Sequence, residues 1–123
     1  MMSVKQLKGS VTHAIHGVIV VFRSEQSFRI QVVAAALALI ASVFFHITSN
    51  EFIVVILLIG AVLTLEMINS VFERIVDVFK PRIHPIVKEI KDIMAAAVLI
   101  TSLIALLVGI EIFDGYLAAL VLG

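Results

Sequence analysis

The sequence predicts an all-α integral membrane protein, with three transmembrane helices preceded by an N-terminal amphipathic helix on the membrane surface. Three observations predict it. Of 123 residues, 62% are hydrophobic and 15% charged, and the mean hydropathy is +1.20; soluble domains run at about 45–50% apolar and about 25% charged. The apolar residues gather into three runs, each close to the roughly 20 helical residues that cross about 30 Å of hydrocarbon. All nine lysines and arginines lie outside those runs and fall on one side of the resulting map. This composition excludes a soluble globular enzyme, a disordered tail and a nucleic-acid module. The formal net charge of zero leaves no global field to recruit a polyanion. With no cysteine, the chain has neither a disulfide framework nor thiolate metal sites. Residues 1–123 read as a single membrane domain.

Residues 3–23 carry Leu7, Val11, Ile15, Val18, Ile19 and Phe22 at helical spacing, with Lys5, Lys8, Thr12, His13, His16 and Arg23 off that stripe. Such a helix rests in the inner interface, apolar face down. The first span runs over about 30–47, the second over about 52–72 and the third over about 93–113. A short polar connector, His46 to Glu51, joins the first two. The second loop is charged and contains Pro81 and Pro85, which break helix and mark a turn. Lys5, Lys8, Arg23 and Arg29 precede the first span; Arg74, Lys80, Arg82, Lys88 and Lys91 lie between the second and third. The positive-inside rule then places the N-terminus in the cytoplasm and the C-terminus outside, as an odd number of spans requires. The first apolar run begins only near residue 30 and no small-residue cleavage site follows a short core, so no cleaved signal peptide is expected. Ala34–Ala36 and Ala95–Ala97 permit close helix packing in lipid.

The second span carries an acidic stripe. At about 100° per residue, Glu66, Glu73 and Asp77 fall within roughly 20° of one another, with Asn69 about 60° aside. If hydrocarbon begins near Phe52, Glu66 lies about 8 Å inside the inner boundary, with Glu73 at it and Asp77 beyond. A carboxylate at the centre of a span costs about 2.5–3.5 kcal/mol, less near the edge. Leu or Ile would serve the fold better. Glu66 is therefore either a snorkelling, backbone-capping acid or a desolvated base at the depth of a lipid headgroup. No lysine or arginine lies within the spans to pair with it. Glu73 is either a solvated helix-end carboxylate or a ligand for a divalent cation. Glu25, just before the first span, shares that boundary, and two carboxylates plus substrate phosphates suit Mg²⁺. Lys91 and Asp92 stand ahead of the third span; Lys91 is an interfacial anchor or faces phosphate oxygens. No GxxxxGK[ST], GxGxxG, HRD or DFG motif is present. His13, His16, His46 and His84 share no helical face, which argues against zinc.

The run E-M-I-N-S-V-F-E-R-I-V-D, Glu66 to Asp77, resembles the signature of the small prokaryotic diacylglycerol kinase family, E-x-x-N-[ST]-A-[IV]-E-x-x-V-D. R-[ST]-E-x-x-F-R at Arg23–Arg29 and K-D-x-x-A-A-A-V at Lys91–Val98 follow the family's order and spacing. The segment H-P-x-x-K-x-x-K-D, His84 to Asp92, is more similar to the undecaprenol kinase branch. Val71 departs from the usual alanine, Gln6 from a frequently basic residue, and Gln31 from a sometimes acidic one. The resemblance implies a homotrimeric lipid kinase of the bacterial inner membrane, with active sites shared between subunits. It would transfer the γ-phosphate of Mg-ATP to the hydroxyl of a membrane lipid alcohol, diacylglycerol or undecaprenol, at the cytoplasmic face. By that resemblance Glu66 is the general base and meets the lipid hydroxyl, and Asn69 orients the reacting groups. Glu25 and Glu73 hold the metal and with it the nucleotide, which Asp77, His84, Lys91 and Asp92 also contact. Phe28 and Arg29 are lipid or structural contacts. The rival reading is a non-enzymatic oligomeric channel or transporter subunit. A pore needs polar groups along its whole length, yet between Phe52 and Leu65 the second span offers only Thr64.

Overall fold

A computed structural model describes residues 1–79 and 85–123. Four helices follow in order: α1 Val4–Ser24, α2 Gln26–Phe44, α3 Ser49–Val78 and α4 Pro85–Leu122. Among the described residues there is no strand. Three helices, α2, α3 and α4, are long and apolar enough to cross a membrane. At 1.5 Å per residue the 30 residues of α3 extend about 45 Å and the 38 of α4 about 57 Å, both beyond the hydrocarbon. The apolar runs thus mark only the lipid-facing stretches of longer helices. α2 likewise starts at Gln26 rather than near Ile30, because backbone hydrogen bonding continues through the polar Gln26–Arg29 turn that hydropathy leaves out.

α1 opens on a capping box: Ser3 Oγ accepts from the Gln6 amide at 3.1 Å, and the Ser3 amide donates to Gln6 Oε1 at 2.9 Å. Its apolar stripe, Leu7 through Phe22, is exposed along its whole length; Val21, off the stripe, packs inward at 7% exposure. An uncovered stripe of this kind fits a helix whose partner is the bilayer interface. Glu25 breaks the chain between α1 and α2 with extended backbone, φ −116° and ψ 112°. The break is fastened by Arg29, whose guanidinium donates to the carbonyls of Phe22 at 2.8 Å and Arg23 at 3.0 Å. These are terminal carbonyls of α1 that have no partner within the helix.

α2 and α3 are joined by Phe45–Thr48, where His46 adopts φ 52°. Thr48 caps α3 in a second capping box with Glu51. Pro85, the other loop proline, starts α4, a position where its missing N–H costs nothing; Pro81 lies outside the described residues. The buried positions Val55, Val62, Glu66, Ser70 and Val76 lie along the face of α3 that packs against its neighbours. α4 runs chiefly against α3, yet none of its residues is buried. Between α2, α3 and α4 lies a cleft of about 640 Å³ lined by residues such as Ala34, Ala38, Leu58, Val62, Ala105 and Gly109. Gln31 bridges α2 to α4 by donating to Ser102 Oγ at 3.2 Å. At the far end, Tyr116 of α4 donates its hydroxyl to Glu51 at 2.6 Å, and its ring lies 5.9 Å from that of Phe45.

Candidate active site

Among the described residues, two of the three buried polar side chains, Glu66 and Ser70, lie where the α1–α2 break meets α3; the third, Ser42, lies near the end of α2. Glu66 enters this corner from α3 and is 5% exposed. Ser27, in the first turn of α2, donates its hydroxyl to Glu66 Oε2 at 3.2 Å. One turn along α3, Ser70 is 1% exposed and donates to Glu25 Oε1 at 3.2 Å. Two segments thus exchange hydrogen bonds in opposite senses: a serine beside Glu25 holds the acid on α3, and a serine on α3 holds Glu25. The acid on α3 is not the snorkelling group that one reading of the sequence allowed. It points into protein, and its partner comes from another helix.

Charge at this corner is unevenly balanced. Arg74 Nη1 lies 3.7 Å from Glu25 Oε1, its Nη2 donates to Ser24 Oγ at 2.8 Å, and it also reaches Ser70 Oγ. Asn69 donates its amide to Glu73 Oε1 at 3.2 Å. Glu25 and Glu73 both lie near enough to Glu66 for their negative charges to act on it. Glu25, Glu66 and Glu73 thus lie toward one corner of the fold, with a half-exposed guanidinium beside Glu25. A buried carboxylate with other acids nearby is an arrangement common at functional sites, which makes this corner the candidate site.

The other residues singled out in the sequence stand around this corner with different partners. Asp77 lies exposed in the last turn of α3. Asp92 on α4 accepts from Lys88 at 2.8 Å, an exposed pair one turn apart. Lys91 is half-buried in the same first stretch of α4. His84 lies outside the described residues. Phe28, 2% exposed, is packed at the base of the corner, and Arg29 fastens the α1 terminus as described above.

The oxygen donors suit a hard divalent cation. Among the described residues no group of three or more His, Cys, Asp or Glu side chains converges closely enough to cage a metal by itself. Mg²⁺ needs no such cage: it takes one or two carboxylates and completes its shell with phosphate oxygens and water. Ser24, Ser27, Ser70 and Arg74 escaped the sequence reading. Serines in an apolar chain usually bond back to their own helix, as Ser42 does to Ala38 at 2.7 Å. The one signal available was spacing, since Ser27 follows Glu25 by two residues and Ser70 follows Glu66 by one turn.

Three helices long and apolar enough to span, preceded by an amphipathic helix, define a multi-pass membrane protein. The sequence profile of prokaryotic diacylglycerol kinase matches residues 12–113, and the chain belongs to that family of membrane lipid kinases. It is 33% identical over 104 residues to the undecaprenol kinase of Bacillus subtilis, covering 85% of each chain.

Proposed function

We propose that this lipid kinase transfers the γ-phosphate of Mg-ATP to the hydroxyl of a membrane lipid alcohol at the cytoplasmic face, with undecaprenol as the preferred acceptor. One observation carries the reading: a buried glutamate on an otherwise apolar helix, with two further carboxylates grouped around it at the membrane boundary. A lipid alcohol presents its hydroxyl just below the headgroup plane, whereas ATP is confined to water. Glu66 below the boundary and Glu73 near it straddle the surface on which the two substrates meet.

In this reading Glu66 accepts the proton of the lipid hydroxyl as its oxygen attacks the γ-phosphorus and ADP leaves. Asn69 orients the reacting groups while holding Glu73. Glu25 and Glu73 would hold Mg²⁺, which would supply positive charge against the phosphates. Asp77, His84, Lys91 and Asp92 contact the nucleotide, Lys91 facing phosphate oxygens. Holding an in-line hydroxyl against the nucleotide is itself worth about 7–11 kcal/mol. The undecaprenol preference is supported by the Bacillus subtilis relative and by the H-P-x-x-K-x-x-K-D segment. Assembly as a homotrimer would cover the faces of α4 that one chain leaves open, and the N-terminus would lie in the cytoplasm of a bacterial inner membrane.

The test is to incubate the purified protein in vesicles with Mg-[γ-³²P]ATP and either undecaprenol or diacylglycerol. The expected result is label in the lipid fraction, faster with undecaprenol. Preferred labelling of diacylglycerol would reassign the acceptor, and absence of lipid label with both would overturn the kinase reading.

A further inference from the structure

Ser27 is exposed while its hydrogen-bond acceptor, Glu66, is buried, so the hydroxyl lies on the open side of the carboxylate. A glutamate side chain has several torsions and no single orientation of its own. In a catalytic base that freedom is costly, because a misplacement of about 1 Å lowers a rate by as much as about a hundredfold. Here the freedom is removed from a second helix. The Ser27 hydroxyl, 39 residues away in sequence, takes one position on Oε2. A carboxylate accepts at about four lone-pair sites, so the remaining ones stay available to a substrate hydroxyl. The bond from Ser70 to Glu25 ties the same two segments together in the reverse direction. Glu25 and Ser27 are two residues apart on one segment, and Glu66 and Ser70 one turn apart on the other. The separation of the two acids is therefore set by two short, rigid pieces of backbone.

Resting on the reading of Glu66 as the base, we propose that Ser27 is a positioning residue: its hydroxyl fixes the Glu66 carboxylate in the orientation that receives the acceptor's proton. The role belongs to the hydroxyl and not to bulk or packing, since the side chain stands at the surface of the corner. Alanine is a better helix former than serine, so Ser27→Ala removes the hydrogen bond without weakening α2.

The experiment measures kcat, both KM values and thermal stability for full-length wild type, Ser27→Ala, Ser27→Thr and Glu66→Gln, with the lipid alcohol that the wild type labels. Ser27→Ala is expected to lower kcat about tenfold, with KM for ATP and lipid within about twofold and an unchanged melting temperature. Ser27→Thr, which keeps the hydroxyl, is expected to restore kcat to within about threefold of wild type. An unchanged kcat in Ser27→Ala, or a loss that threonine does not restore, would overturn the role of Ser27 while inactive Glu66→Gln leaves the base in place. Full activity in Glu66→Gln would overturn both together.

Discussion

α3 carries a glutamate near each end of its apolar run, and the two are held by opposite means. Glu51, at the N-terminal end, is spent on structure: it accepts from the Thr48 amide at 2.9 Å as part of the helix cap and from the Tyr116 hydroxyl at 2.6 Å. It closes its own helix and pins α4 to the α2–α3 connector. Glu66, toward the C-terminal end, closes nothing. It is buried away from both helix termini, held by a serine of α2, and lies within reach of two other negative charges. The first arrangement is what folding alone would select. The second is one that folding would discard, since an apolar side chain would pack there without a desolvation cost. An acid that caps a helix and ties two elements together is explained by the fold; Glu66 is not, and this contrast supports the proposal that it serves chemistry.

Paired substitutions at the two ends sharpen this contrast most. Glu66→Gln is expected to reduce lipid phosphorylation about a thousandfold while the protein stays folded, whereas Glu51→Gln keeps its rate within about threefold; ³²P transfer to lipid reads both. Next in size, Glu73→Ala is expected to raise the Mg²⁺ concentration for half-maximal rate about tenfold or more, and an unshifted Mg²⁺ titration removes Glu73 from the cation site. Arg74→Ala removes the ion pair to Glu25 and leaves the Ser70 hydrogen bond as its tie to α3. Because the pair is half-exposed, its effect is smaller, about a threefold loss of rate with a stability change under about 1 kcal/mol. The smallest effect on activity belongs to the Glu51 end. Tyr116→Phe removes the hydrogen bond to Glu51 and is expected to lower the melting temperature slightly while leaving the rate of lipid labelling unchanged.

The candidate site was legible in part because its acids interrupt a hydrophobic run. Glu66, Asn69, Glu73 and Asp77 on a helix that also spans could be placed on one face, and at a depth, from spacing alone. The hydroxyls that orient them could not. Ser27 and Ser70 reach across between helices, and which residues face each other there depends on the rotation and register of α2 against α3. Arg74 looked like one more positive-inside charge; its tie to Glu25 and Ser24 exists only once the α1–α2 break folds back onto α3. The ends of the spans shifted for a related reason. Hydropathy measures where lipid begins, while helices are ended by caps such as Thr48 or by extended residues such as Glu25, so α3 and α4 continue well past their apolar stretches.

The claim that a lipid hydroxyl meets Glu66 is tested most directly by chemical modification of that carboxylate. A membrane-soluble carbodiimide applied to the vesicle-embedded protein, followed by peptide mass mapping, reports the modified fraction of Glu66 beside the remaining activity. The account predicts that Glu66 is modified, that activity falls in proportion, and that added lipid alcohol slows both. Lipid phosphorylation that continues after Glu66 is fully modified would contradict it.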